Sequence, residues 1–327
     1  MTQTNIILKE NYNTFNSKCD DLLNIYFREN YNILHFNSDT AIQFIINNNF
    51  DHINIIFYIN NTIDTYELNI MNYIQNNNIY CKIFFILIDW WKIPPPGNYE
   101  VQHNFISNIF KATNYKVVTF SYDIYQLSSF YNIDFTPYQH NIIHLNLWSS
   151  YNLSFVDFNH SPIQKVLISG RIFQLHYPER TMMLGASRIE FYDYNNGDVQ
   201  TLNNNYNKIL NNYIAAFTSS VYIFNESTQQ IENTHMVLLK TFEILGSGAL
   251  LISPISEELY LQKFGIINGV NCILFDFNNN LDHQIDYILD PNNIEHINSI
   301  RYNGYLHSRN NLNSYNKFIE LKNLLNL

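Results

Sequence analysis

Residues 235–254 read H-M-V-L-L-K-T-F-E-I-L-G-S-G-A-L-L-I-S-P, and this stretch decides the fold. Its first part predicts a helix that carries Lys240 and Glu243 and ends at the G-S-G triplet, because glycine commonly terminates helices. The next residues, Ala249 to Ser253, are almost all apolar, which is typical of a strand buried on both faces. A helix that leads directly into such a strand indicates a parallel α/β sheet.

The same alternation of short apolar runs and longer helical patterns extends along all 327 residues. It predicts an α/β protein of two βα domains, at residues 1–155 and 156–310, followed by a terminal helix at 311–327. The boundary lies in a polar segment that carries Pro162 and precedes a new strand at Lys165–Ser169. Further along, the pattern predicts a helix over residues 206–218 and a strand over residues 221–224.

Charge and composition exclude several classes of protein. The chain has 18 Lys and Arg against 28 Asp and Glu, a formal net charge of -10, and no basic cluster, which argues against a nucleic-acid partner. No apolar run has the length of a membrane span, and the N-terminus lacks the pattern of a signal peptide. We therefore expect a soluble, cytoplasmic protein. The Asn- and Ile-rich composition fits an AT-rich coding sequence, and for a large-virus source the expected location is the host cytoplasm or the virion.

Several motifs that carry chemistry are missing from the sequence. The 3 cysteines lie far apart, which predicts neither a disulfide framework nor a zinc site. The sequence has no G-x-x-x-x-G-K-S/T loop, no G-x-G-x-x-G after a strand and no G-x-S-x-G. It also lacks D-x-D, the pair that would hold a divalent ion against a diphosphate. We therefore expect a site without a metal or a resident cofactor, in which helix ends and isolated basic groups bind the ligand.

The stretch at residues 235–254 resembles the C-terminal half of two-domain GT-B glycosyltransferases, in the group-1-like branch that includes the CgeB-like spore-maturation proteins. In that family a helix of the form R-x-F-E-x-L-A-x-G precedes a short strand, and its glutamate binds the ribose hydroxyls of a sugar nucleotide. The matching residues are Lys240, Phe242, Glu243, Leu245, Gly246 and Gly248. Many members have another glutamate eight positions earlier, where this chain has His235. The resemblance implies two Rossmann-like domains that face a cleft, with C-terminal helices that cross back onto the first domain.

A second point of similarity follows the strand Lys165–Ser169. The strand ends at Gly170-Arg171, and residues 176–180, H-Y-P-E-R, resemble a Y-P-x-R element of the family. The resemblance implies that Gly170 lets backbone amides approach a pyrophosphate and that Arg171 or Arg180 supplies positive charge. The complete donor-binding set that it implies is Gly170, Arg171, Arg180, His235, Lys240, Glu243, Gly246 and Gly248.

Three residues are candidates for a catalytic base that would take the proton of the acceptor. Asp89 follows the most apolar strand of the first domain, His103 opens the next predicted helix, and His176 lies in the loop after Gly170. Histidine titrates in the range that such a base needs. If the reaction retains configuration, no base of this kind is required.

The resemblance implies a metal-independent, hexosyltransferase-like enzyme. It would move a sugar from a nucleoside-diphosphate donor, UDP or GDP, to a glycan, protein or lipid acceptor. Two alternatives stay open. A sugar-nucleotide 2-epimerase has the same fold and donor pocket, whereas a non-catalytic relative would bind glycans or partner proteins. The histidine at position 235 and the lack of an obvious base favour the non-catalytic alternative.

Overall fold

The structure is a computed structural model. It describes residues 5–9, 32–36, 38–48, 53–59, 65–77, 81–87, 115–119, 134, 136–144, 156–170, 174–192, 206–225 and 230–325. The chain divides into two compact units, of which the first comprises Met1–Leu147 and Phe318–Leu327 and the second comprises Trp148–Lys317. The second unit thus begins a few residues before the boundary expected from the sequence, and the end of the chain belongs to the first unit.

The first unit contains a parallel sheet with the strand order β2-β1-β3-β4-β5-β6. Two helices, α1 after β2 and α2 after β3, provide crossovers between successive parallel strands. The strands are β1 (Asn5–Lys9), β2 (Asn32–Phe36), β3 (Ile53–Ile59), β4 (Cys81–Leu87), β5 (Tyr115–Thr119) and β6 (Ile142–His144), and the helices are α1 (Ser38–Asn48) and α2 (Thr65–Asn76). A 3-10 helix, Thr136–Asn141, leads into β6.

The second unit contains another parallel sheet, with the order β13-β12-β9-β7-β8, and a separate antiparallel hairpin of β10 and β11. The strands are β7 (Ile163–Ser169), β8 (Ile189–Tyr192), β9 (Tyr213–Phe217), β10 (Tyr222–Asn225), β11 (Gln230–Asn233), β12 (Leu250–Pro254) and β13 (Ile273–Phe275). The helices are α3 (Pro178–Met183), α4 (Leu239–Ser247), α5 (Glu258–Gln262), α6 (Leu281–Leu289) and α7 (Ile294–Asn311), with 3-10 helices at Ile255–Glu257 and Pro291–Asn293. The last helix, α8 (Ser314–Leu325), begins in this unit and from Phe318 onward belongs to the first unit.

Apolar clusters cover both faces of the second sheet. On one face, Leu167 and Leu251 pack with Phe242 of α4. On the other face, Ile168 and Phe217 pack in a cluster that includes residues of α6 and α7. Because both faces are covered, all five residues of β9 and of β12 are buried, which explains why these strands lack the alternation of a half-exposed strand.

The structure corrects the prediction for residues 206–224. The expected helix over residues 206–218 ends early, because residues 213–217 form the central strand β9. Ala215 and Ala216 favour helix, and a strand buried on both faces shows no period of two that would reveal it. The strand expected at residues 221–224 exists as β10, but it pairs antiparallel with β11 and lies outside the parallel sheet.

Candidate functional site

The strand order of the second unit places a candidate site at one edge of its sheet. β7 lies between β8 and β9, so the chain leaves β7 on one side and later returns on the other. In open α/β sheets, ligands bind outside the carboxyl ends of the strands, at the point where the order reverses. Here that point lies between the end of β7 at Ser169 and the end of β9 at Phe217.

A lysine from α4 reaches the end of β7. Lys240 lies in the first turn of α4, and its Nζ donates a hydrogen bond of 2.7 Å to the main-chain oxygen of Ser169. The Oγ of Ser169 lies 2.5 Å from the hydroxyl of Tyr206, and Lys240 Nζ lies 5.9 Å from the centroid of the Tyr206 ring. An ammonium group carries three N–H donors, and the N-terminus of a helix favours negative charge. This edge of the sheet is therefore suited to an anionic group.

Gly170 follows the end of β7 with a φ of 99°, a conformation that L residues rarely adopt. Its N–H donates a hydrogen bond of 3.3 Å to the main-chain oxygen of Tyr192. Gly170 therefore provides the turn at the end of β7, and its amide is hydrogen-bonded to the neighbouring strand β8. The predicted contact of this backbone with a pyrophosphate stays a prediction.

Glu243 lies one turn after Lys240 in α4, with only 7% of its surface exposed. Its neighbours Phe242 and Ile244 are fully buried. The carboxylate is therefore enclosed by protein, although glutamate on a helix usually faces solvent. Lys240 and Glu243 are three residues apart, a spacing that puts two side chains on neighbouring parts of one helix face. The role of Glu243 as an acceptor for ribose hydroxyls stays a prediction.

Gly246 and Gly248 lie at the opposite end of α4 from Lys240. Gly248 is the C-cap residue with a left-handed φ of 80°, and a Cβ atom there would lie 3.0 Å from Cδ2 of Phe158. Helix termination and close packing account for this glycine. The chain enters β12 two residues later, so this end of α4 is near the amino end of that strand. The predicted donor contacts of the two glycines stay predictions.

His235 precedes α4 and has an unusual backbone conformation. Its φ is 51°, and its N–H donates a hydrogen bond of 2.7 Å to Oδ1 of Asn233. The imidazole stacks on the Tyr260 ring, with 4.6 Å between the centroids and 4° between the planes. Burial lowers the pKa of His235, so the ring is neutral at neutral pH. Its Nδ1 is buried and has no hydrogen-bond partner among the residues that the structure describes.

Two other predicted residues lie between β7 and β8, His176 before α3 and Arg180 within it. His176 is exposed, and its Nδ1 lies 2.8 Å from the main-chain oxygen of Tyr222 in β10. Arg180 is 3% exposed, and its guanidinium carbon lies 4.0 Å from the centroid of the Tyr177 ring. The remaining predicted site residues, Asp89, His103 and Arg171, lie outside the described residues.

The sequence interpretation missed a buried acidic cluster at the same edge. Glu257 ends the 3-10 helix after β12 and is 3% exposed. Its Oε1 accepts a hydrogen bond of 2.5 Å from the N–H of Ser220 and lies 2.7 Å from Ser220 Oγ, and its Oε2 accepts one of 3.0 Å from Ser253 Oγ. Burial raises the pKa of Glu257 to about 7. Burial also raises the pKa of Glu179, which accepts a hydrogen bond from the Tyr222 hydroxyl.

One signal for Glu257 was present in the sequence. The S-P-I-S-E segment at residues 253–257 places a carboxylate three residues after the last residue of a buried strand. Carboxyl ends of parallel strands are where binding residues collect, so this position qualified as a candidate.

The described residues contain neither a candidate metal cluster nor a candidate membrane-spanning helix. Within the described part of the chain, no group of three or more His, Cys, Asp or Glu side chains is arranged to hold a metal ion. None of the helices in the same residues combines the length and apolarity that a membrane crossing requires.

Comparison with known proteins identifies the fold. No protein-family model matches the chain, and no curated protein matches it significantly by sequence. The structure of TarM is similar with a TM-score of 0.52 and 13% identity, over 88% of this chain and 58% of TarM. The structure of Anabaena HepE in complex with UDP and glucose is similar with a TM-score of 0.52 and 10% identity, over 98% of this chain and 99% of HepE. Both are GT-B glycosyltransferases, and the predicted GT-B fold class is confirmed.

Proposed function

We propose that the chain is a metal-independent glycosyltransferase of the CgeB-like branch, which transfers a hexose from a nucleoside-diphosphate sugar to a glycan, protein or lipid acceptor. The observation that carries this proposal is the bond from Lys240 Nζ to the Ser169 carbonyl oxygen, because it holds a cation at the switch point of a GT-B sheet. HepE, which shares this fold, was solved with UDP and glucose, and this favours UDP as the nucleotide of the donor. The proposed location of the chain is the cytoplasm, or the host cytoplasm or virion for a large-virus source.

The proposed chemistry assigns the leaving group to the end of β7. When the bond between sugar and diphosphate breaks, negative charge develops on the diphosphate, and Lys240 and the N-terminus of α4 stabilise it. Glu243 accepts hydrogen bonds from the ribose hydroxyls, a contact in which a charged acceptor strengthens each bond. His235, held against Tyr260, presents its neutral imidazole to the donor. For the acceptor's proton, Asp89, His103 and His176 stay the candidates.

A thermal-shift experiment with nucleotides tests the donor site. We expect UDP at 100 times its dissociation constant to stabilise the protein by about 2.7 kcal/mol, and to do so in the presence of EDTA. A stabilisation of that size raises the melting temperature by a few degrees. Uridine is the matched control, because it keeps the ribose that Glu243 contacts but lacks the diphosphate that Lys240 binds, and we expect a clearly smaller shift from it at the same concentration. GDP, TDP and CMP define the preference for the base. A melting temperature that no nucleoside diphosphate raises would contradict the proposal.

The reaction itself is tested by product analysis after incubation with UDP-sugars. A transferase releases UDP in step with glycosylation of an acceptor, since the bond to the sugar breaks only when the acceptor attacks. A 2-epimerase converts the UDP-sugar to its epimer without any acceptor. Formation of the epimer would replace the transferase proposal and leave the donor site in place.

A further inference from the structure

A chain of hydrogen bonds joins the buried carboxyl group of Glu257 to the main chain of His235. Ser220 Oγ lies 2.7 Å from Glu257 Oε1 and 2.5 Å from Asn233 Oδ1. The same Asn233 oxygen accepts the N–H of His235 at 2.7 Å. Three contacts therefore connect Glu257, which follows β12, and Ser220, which follows β9, to the end of β11 at Asn233 and to His235.

The number of hydrogens available to the contacts between Glu257, Ser220 and Asn233 can be counted. Asn233 Oδ1 is an acceptor, since a main-chain N–H donates to it, and a hydroxyl group such as that of Ser220 has one hydrogen to donate. Ser220 Oγ nevertheless lies within bonding distance of two oxygens, Asn233 Oδ1 and Glu257 Oε1. If Ser220 donates to Asn233, the contact with Glu257 needs a hydrogen from the carboxyl group. A neutral Glu257 supplies that hydrogen, and an ionised Glu257 does not.

We propose that Glu257 is a positioning residue that keeps a proton in the folded protein and, through Ser220 and Asn233, fixes the main chain of His235. When Glu257 loses this proton to solvent, the Ser220 hydroxyl turns to the carboxylate. The lone pairs of Ser220 Oγ and Asn233 Oδ1 then face each other, and their 2.5 Å contact becomes repulsive. The hairpin end at Asn233 separates from Ser220, and the left-handed conformation of His235 loses its support.

The surroundings of Glu257 favour the neutral form. The titratable groups that face it are Glu179 of α3 and Tyr222 of β10. The positive charge of Arg180 lowers the pKa of Glu179. The hydrogen-bond partners of Glu257 are uncharged. They are the main-chain N–H and the hydroxyl of Ser220 and the hydroxyl of Ser253. Burial is the largest cause of its raised pKa of about 7, and Glu179 adds to the effect. The change that we propose therefore occurs near neutral pH.

Hydrogen exchange of the segment at residues 230–238 tests this proposal. When the segment is open, the Ser220 hydroxyl can donate to the carboxylate, so the pKa of Glu257 is lower than in the closed form. Opening therefore becomes more favourable as pH rises, and the effect levels off above the folded pKa of about 7. From pH 6 to pH 8 we expect protection of these amides, corrected for intrinsic exchange, to fall roughly tenfold. In Glu257→Gln, whose side chain cannot ionise, we expect protection to be the same at both pH values.

Two further variants make the test specific. Glu258→Gln is the matched control, because it removes a carboxylate one residue away that Ser220 does not contact, and it should behave like the wild type. Ser220→Ala removes the hydroxyl that links Glu257 to Asn233 and should abolish the pH response of amide protection. This variant tests the proposal even if Glu257→Gln fails to fold. Wild-type protection that does not change with pH would overturn the proposal. The same fall in Glu257→Gln or in Ser220→Ala would also overturn it.

A consequence for ligand binding rests on the proposed function. If His235 contacts the donor, the dissociation constant for UDP-glucose should rise between pH 6 and pH 8 in the wild type and stay constant in Glu257→Gln. A protein that binds no UDP-glucose at either pH would argue against the proposed function. The exchange measurement would still decide the role of Glu257, because it needs no ligand.

Discussion

Replacing Glu243 with alanine is expected to weaken UDP binding by roughly 10- to 100-fold. A hydrogen bond to a charged group contributes about 1.5–3 kcal/mol, and each 1.4 kcal/mol corresponds to about tenfold in affinity. Glu243 is 7% exposed and lies one turn after Lys240, the residue that marks the proposed diphosphate site. Isothermal titration calorimetry with UDP measures the effect, and the melting temperature of the unliganded variant shows whether the fold is retained.

Two control variants separate recognition of ribose from general damage. Glu243→Gln keeps the size of the side chain but loses the charge, so its affinity should lie between those of the wild type and Glu243→Ala. Glu320→Ala removes an exposed carboxylate of α8 and should leave UDP affinity unchanged. Equal UDP affinity of Glu243→Ala and the wild type would mean that this glutamate does not bind the nucleotide.

The largest effect on stability is expected for Gly304→Ala in α7. In an exposed helix interior, alanine is more favourable than glycine by about 1 kcal/mol. Gly304 is buried, and a Cβ atom there would lie 2.8 Å from the main-chain oxygen of Asn271 and 2.9 Å from Cδ2 of Leu245. Because the Asn271 oxygen belongs to the backbone, α7 must shift, and overpacking of this kind costs about 1–3 kcal/mol. We therefore expect the free energy of unfolding in urea to decrease by about 2 kcal/mol.

Gly185→Ala is the matched control for this substitution. Gly185 is exposed, and a Cβ atom there would approach only the main-chain oxygen of Met182, at 3.3 Å. We expect its effect to stay within about 1 kcal/mol. A Gly304→Ala protein as stable as the wild type would show that α7 does not pack against Asn271 and Leu245 as closely as the structure describes.

The parallel sheets could be predicted because their strands are local apolar runs. β7 and β12 follow from the sequence to within two residues. β9 was not recognised, since its Y-I-A-A-F sequence is buried on both faces and contains two alanines. The β10–β11 hairpin was missed because only its first strand was predicted, over residues 221–224, and no partner strand was recognised after it.

The candidate site could be predicted only in part. Lys240, Glu243 and Gly170 belong to short motifs that a single sequence displays, and the structure places Lys240 at the strand end that Gly170 follows. Glu257 and Ser220 are 37 residues apart, and the pairing of β9 with β12 brings together the ends of the two strands that they follow. Contacts of this kind depend on strand order, which a local pattern does not contain.

The position of UDP in a crystal structure of its complex tests the central claim most directly. We expect the diphosphate to lie within hydrogen-bond distance of Lys240 Nζ, outside the carboxyl ends of β7 and β9, and the ribose hydroxyls to donate to Glu243. UDP bound on the first unit, or at the amino edge of the second sheet, would contradict it.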